Sequence, residues 1–422
     1  MTGTRVAIGA VRPRRPLGLR LLNGAGGALR AAGLPLVRLD EASLLERAAR
    51  NTGLADFGDA TFRAPLRRLL EALEHEAELT LLGRHLVRAD LTRLLENRLR
   101  MTDVRKHHPE IDAGEVARPI FVIGLPRTGT TILHELLAQD PANRVPMTWE
   151  VMHPWPPPER ATYESDPRIA MVEKHFTGID RLIPGFQAMH PMGARLPQEC
   201  VALTAHDFAT MIFHTTYHVP SYQAWLDGAD LRWVYASHRR QLQYLQWRCP
   251  GERWVLKSPG HLWALDALLA VYPDAGIVQT HRDPLKVVAS LTSLITLLRC
   301  LATDRIDPFE IGRDWTQRLA DGLEKSMAVR ERGPAGQFFD VHFAEFMRDE
   351  IGMVRRIYAH FGFELTPGAE ARMRRFLAAN PQEKHGVHRY TLGAAGLDAE
   401  TERQRYAAYQ QRFGIPSEPV AQ

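Results

Sequence analysis

Ile120-Phe121-Val122-Ile123-Gly124-Leu125-Pro126-Arg127-Thr128-Gly129-Thr130-Thr131 decides how this chain is read. Four consecutive apolar residues without alternation suit a strand buried on both faces, as in a parallel sheet. Gly124 to Thr131 has the glycine spacing of a phosphate-binding loop, and Ile132-Leu133-His134-Glu135-Leu136-Leu137 follows at helical spacing. In such a unit the loop N–H groups curl inward and the new helix turns its positive end toward an anion. The lysine of the nucleoside-triphosphate version, GxxxxGK[ST], is absent because Thr130 stands in its place, while Arg127 returns a cation inside the loop. This suits one terminal anionic group better than a triphosphate with its magnesium.

Downstream, Trp254-Val255-Leu256-Lys257 predicts a second strand, Leu262 to Val271 a helix, and Gly276-Ile277-Val278-Gln279-Thr280 a third strand. Pro284 opens a helix through Val287, Val288 and Leu291. Phe338 to Val341 predicts a late strand before an amphipathic helix over Ile351 to Phe361. Upstream, Asp40 to Met101 is helical, with stripes such as Leu66, Leu69, Leu70 and Leu73. The fold expected is α/β: a P-loop-like three-layer fold with a central parallel sheet, a helical N-terminal segment and a helical cap insertion. The division expected is a flexible basic arm over 1–38, a helical segment over 39–115, and an α/β domain over 116–422. The insertion, at about 155–250, is rich in aromatics, histidine and proline.

The net charge of +4 is uneven, because the first 38 residues hold seven arginines and no acid. The remainder is slightly acidic, which excludes the footprint of a nucleic-acid-binding protein. The leader lacks the apolar core of a secretory signal, and its charge suits contact with anionic lipid. The longest charge-free run, Phe208 to Leu226, holds two histidines, a proline and several hydroxyls, so no membrane span is expected. Cys200, Cys249 and Cys300 are far apart and fit a reducing compartment. The expected location is cytoplasmic, with peripheral contact at the inner membrane through the basic arm. The histidines show no ligand spacing, so no metal is expected.

With these motifs the chain resembles the sulfotransferases that use 3′-phosphoadenosine 5′-phosphosulfate (PAPS), in particular a bacterial branch with a PRxGTT loop and a helical N-terminal segment. The resemblance runs from about Leu44 to Phe413. It implies that Arg127, Thr128, Gly129, Thr130 and Thr131 bind the 5′-phosphosulfate. It also implies that Arg282 and Ser290, in Gln279-Thr280-His281-Arg282-Asp283-Pro284 and the helix after it, grip the 3′-phosphate. Lys384, Gly386 and Arg389 would close over the nucleotide. Lys257 would help Arg127 hold the charge left on the product, adenosine 3′,5′-bisphosphate (PAP).

For the base that deprotonates the acceptor, Glu150 stands first, His261 second, and Glu199, a carboxylate facing the acceptor side, is the third candidate. Phe186, His190 and Tyr217 are candidate acceptor contacts within an aromatic, methionine-rich stretch. The reaction implied is sulfuryl transfer to a hydroxyl of a small, apolar acceptor such as a phenol, alcohol, lipid or quinone. The rival readings are a P-loop kinase or hydrolase, and a non-catalytic nucleotide binder of the same fold.

Overall fold

The structure is a computed structural model that describes residues 17–34, 36–182, 192–380 and 391–421. Among the described residues five strands form one sheet: β1 (Ile120–Gly124), β2 (Asn143–Arg144), β3 (Arg253–Lys257), β4 (Gly276–His281) and β5 (Phe338–His342). They lie in the order β2-β3-β1-β4-β5, and every pairing is parallel. Every residue of β1 and β4 is buried, which is why neither strand alternates in polarity. The two-residue edge strand β2 is too short to leave a sequence pattern and was not expected.

Alternation along the strands divides the core. Ile120, Val122, Val255 and Val278 pack with the helix after β1 and the helix Glu350–Phe361. Phe121, Ile123, Leu256 and Ile277 face the other way, against the helices Arg232–Gln246, Pro284–Arg299 and Pro308–Arg330. The expected three layers are therefore present, and the chain-carrying loops gather at the carboxyl ends of the strands, where open parallel sheets bind ligands.

Among the described residues, four α-helices precede the sheet: α1 (Leu17–Ala31), α2 (Glu41–Thr52), α3 (Arg63–His75) and α4 (Leu81–His107). Asp40 caps α2 by accepting from the Ser43 N–H, and Thr80 caps α4 through the Gly83 N–H. Leu44, Leu66, Leu69, Leu73, Leu91 and Leu95 bury their stripes in one core with Phe208, Phe213 and Tyr222 of the insertion. Packing thus joins two segments, 39–115 and 155–250, that are far apart in sequence.

The flexible arm expected over 1–38 is corrected from residue 17 onward, because α1 is a docked helix. The Asn23 side chain accepts from the Leu82 N–H at 3.1 Å, and Gly26 lies against Leu81, where a Cβ would come within 2.8 Å. Arg30 pairs with Glu74 at 3.1 Å. Residues 1–16 lie outside the described residues.

Candidate active site

The loop after β1 is built on two glycines that no other residue could replace without strain. Gly124 has φ +138°, and a Cβ there would stand 2.4 Å from Thr280 Oγ1 on the neighbouring strand. Gly129, at φ +90°, precedes helix α5 (Thr130–Leu137), and Arg127 is also left-handed, at φ +64°. The first helical hydrogen bond runs from the Leu133 N–H to the Gly129 carbonyl at 3.0 Å. The N–H groups of Thr130, Thr131 and Ile132 come before it, and no side chain caps the helix among the described residues. Together they form the concave set of donors that an anion fills. Arg127 is exposed beside them, and its guanidinium has no partner among the described residues.

Thr128 does not fit the nucleotide-binding role expected of its side chain. Its hydroxyl is buried, donating to the Leu125 carbonyl at 2.6 Å and lying 2.6 Å from Thr280 Oγ1. It braces the loop to β4 from behind. His134 ties α5 to β3 in a similar way, donating from Nε2 to the Val255 carbonyl at 3.0 Å. Burial, with Lys257 nearby, lowers its pKa to about 3, so it is neutral.

Lys257, the last residue of β3, is buried, and its Nζ lies 2.5 Å from Glu199 Oε1 and 3.5 Å from Thr131 Oγ1 at the start of α5. Glu199 precedes the short helix Cys200–Thr204 and keeps 24 % of its side chain exposed. A carboxylate reachable from outside therefore sits beside a cation that reaches the first turn of α5.

At the end of β4, Arg282 donates from Nη1 to the Arg127 carbonyl at 3.2 Å, so the two arginine-bearing loops touch on one edge of the sheet. Its guanidinium carbon stacks 4.0 Å from the Phe343 ring centre. Its Nε and Nη2 each reach a carboxylate oxygen of Glu418 at 2.9 Å. Asp283 caps the following helix through the Leu285 N–H, and the buried Ser290 lies less than two turns into it. Three cations thus meet at the strand ends, two of them held by carboxylates.

Glu150, the first candidate for the base, does not fit that role. Its side chain is fully buried, and both oxygens receive Arg144, at 2.7 and 2.5 Å. The Met147 N–H and Tyr163 hydroxyl supply two more donors, at 2.8 and 3.1 Å. Four donors and no exposure leave no path to a substrate proton. His261 does not fit either. It is buried on the sheet face away from α5, edge-on to Phe121 at 5.1 Å, with Nδ1 2.8 Å from the Tyr235 hydroxyl. Burial pushes its pKa well below the usual histidine value. Tyr217 is buried in the core shared with the N-terminal helices rather than at the strand ends. Phe186, His190, Lys384, Gly386 and Arg389 lie outside the described residues.

A family model described as "Sulfotransferase family" matches residues 119–367, which include the anion loop, Lys257, Arg282 and Ser290. The chain belongs to the sulfotransferase family. Sulfotransferase STF9 from Mycobacterium avium has a crystal structure 32% identical to this chain, covering 91% of it and 99% of that protein with a TM-score of 0.84. Sulfotransferase STF1 from Mycobacterium tuberculosis H37Rv is 37% identical, covering 87% and 98%, with a TM-score of 0.79. Omega-hydroxy-beta-dihydromenaquinone-9 sulfotransferase Stf3 of Mycobacterium bovis is 26% identical over 286 residues, 65% of this chain and 70% of that one.

This sulfotransferase is therefore a transferase of sulfuryl groups, with PAPS as donor and PAP as product. A concave donor set beside an exposed arginine, and a second arginine touching the same loop, fit a nucleotide with anionic groups at two ends. Among the described residues, no group of three His, Cys, Asp or Glu could hold a metal ion, and no helix is long and apolar enough to cross a membrane.

Proposed function

We propose that this sulfotransferase sulfates a hydroxyl of a small apolar acceptor, with Glu199 as the base. The observation that carries the reading is the Lys257–Glu199 pair, which reaches the first turn of α5 through Thr131. Arg127 and the first-turn N–H groups hold the sulfated 5′ end of the donor, while Arg282 and Ser290 hold its 3′-phosphate. The acceptor oxygen forms a bond to sulfur as the bond from sulfur to the 5′-phosphate oxygen breaks. The hydroxyl proton passes to Glu199, and Arg127 with Lys257 neutralises the charge left on phosphate. In the same reading the N-terminal helices and the insertion wall the acceptor side. An apolar acceptor agrees with the hydroxylated menaquinone named for the mycobacterial relative Stf3.

Thermal melting tests the donor site. PAP is expected to raise the melting temperature, and ATP with magnesium is expected to leave it unchanged. Stabilisation by ATP alone would return the chain to the kinase or hydrolase reading. Incubation with PAPS and a hydroxylated quinone is expected to give, by mass spectrometry, an acceptor heavier by one sulfuryl unit. A non-catalytic nucleotide binder gives none.

The reading also places the enzyme in the cytoplasm, in contact with an anionic bilayer. Helix α1 packs through its small face, Asn23 and Gly26, and leaves four leucines outward. Leu17, Leu21, Leu22 and Leu29 are 69%, 67%, 54% and 38% exposed, within an arc of about 140° at 100° per residue. Leu34 and Leu36 follow, also exposed, and the seven arginines of the first 38 residues supply charge that anionic lipid headgroups complement. The enzyme is expected to sediment with phosphatidylglycerol vesicles and not with phosphatidylcholine vesicles, and a Leu21→Glu/Leu22→Glu variant is expected to stay in the supernatant. Equal sedimentation of the variant, or self-association of the wild type through this face without vesicle binding, would refute the membrane contact.

A further inference from the structure

We propose that Glu418 is a counter-ion of Arg282 that the 3′-phosphate of the nucleotide must displace, setting how tightly PAP is held. The inference rests on the reading of Arg282 as the arginine that takes that phosphate. Both carboxylate oxygens of Glu418 lie 2.9 Å from the guanidinium, one at Nε and one at Nη2, in the two-point geometry that a phosphate also uses. Nη1 is spent on the Arg127 carbonyl, and one face of the guanidinium is covered by Phe343. A 3′-phosphate therefore either displaces the Glu418 carboxylate or shares one guanidinium with it at close range. In both cases the carboxylate opposes binding, the first by lost hydrogen bonds and the second by repulsion.

The backbone around Glu418 is anchored by contacts that do not involve its carboxylate. The Glu418 N–H donates to Asp283 Oδ2 at 2.7 Å, and its carbonyl accepts from Arg403 Nη2 at 2.9 Å. Arg403 also holds Asp283 at 2.7 Å, so the segment is tied to the cap of the helix that carries Ser290. Side-chain exposures of 23 % for Arg282 and 31 % for Glu418 leave the pair within reach of a ligand. The carboxylate thus stays close when displaced. It is positioned to retake Arg282 as PAP leaves, keeping the arginine in place between turnovers.

Calorimetric titration separates this from a purely structural role. PAP and ADP are titrated into wild type, Glu418→Gln, Arg282→Ala and the double variant, at one ionic strength. ADP carries a 5′ anionic end without the 3′-phosphate. Glu418→Gln is expected to tighten PAP about three- to tenfold, in the range of a half-exposed ion pair, and to leave ADP unchanged within about twofold. The gain is expected to vanish when Arg282 is also alanine. Unchanged or weaker PAP binding by Glu418→Gln, with Arg282→Ala still losing PAP, would refute the counter-ion and show that Glu418 only props the arginine. If Arg282→Ala binds PAP as wild type does, the assignment of the phosphate site itself falls. A tail that merely stabilises the fold would shift PAP and ADP together, which also refutes the proposal.

Discussion

Glu199→Gln is expected to lower kcat by about 10²- to 10⁴-fold, the range for losing a general base. PAP affinity is expected not to weaken. Glutamine keeps the size of the side chain and removes its basic lone pair and charge, so the acceptor hydroxyl loses the group that takes its proton. Lys257 loses the carboxylate 2.5 Å away and becomes more available to an anion, which is why nucleotide binding is spared. Steady-state rates at saturating donor and acceptor, with calorimetry for PAP, make the measurement. Turnover within tenfold of wild type would remove Glu199 from the chemistry. Weakened PAP binding with proportionate loss of kcat/KM would make it a binding residue instead.

Glu150→Ala is expected to act on a different quantity, lowering unfolding free energy by about 3–5 kcal/mol. The carboxylate is fully buried and is the main neutraliser of Arg144, itself buried, which also reaches the Val145 and Cys249 carbonyls at 2.6 and 3.2 Å. Burial opposes the charge on Arg144, and the Glu150 carboxylate, with Tyr163 and Cys249, more than offsets this and raises its pKa. Removing the acid leaves a guanidinium buried without a counter-charge, whereas removing both partners together would cost less. The comparison is therefore between the denaturation midpoints of Glu150→Ala and an Arg144→Met/Glu150→Leu double variant, with the double expected to recover part of the loss. A Glu150→Ala enzyme that is as stable as wild type yet inactive would restore Glu150 as the base.

The two acids show where sequence reading reaches its limit. Glu150 and Glu199 each come within four residues after a proline and each stands just before or within a short helix, so local pattern treats them alike. What separates them is Arg144, six residues before Glu150 but on edge strand β2, which is too short to be read from sequence. His261 was misplaced for a related reason. It lies four residues from Lys257, but the turn after β3 carries it to the Phe121 face of the sheet, while Lys257 meets Thr131 on α5. By contrast the loop from Gly124 to Thr131, the strand-end lysine and the arginine of β4 were legible. Each is fixed by a strand end and the helix after it, and those are local signals. Glu418 left no signal because its partner Arg282 is 136 residues away and the segment between ends in an irregular tail.

The core shared by the N-terminal helices and the insertion bears on how this protein can be cut. The family model's match begins at residue 119, an inviting start for a catalytic fragment. Phe208 packs against Phe62 with ring centres 6.1 Å apart, and Phe213 and Tyr222 belong to the same buried cluster. Arg93 and Asn97 of α4 both donate to the Met152 carbonyl at 3.0 Å, two residues past Glu150. A fragment starting at 119 would present those rings to water and aggregate. Residues 39–115 are therefore part of what any shortened enzyme must keep, and changes of acceptor preference can arise in helices remote from the nucleotide in sequence.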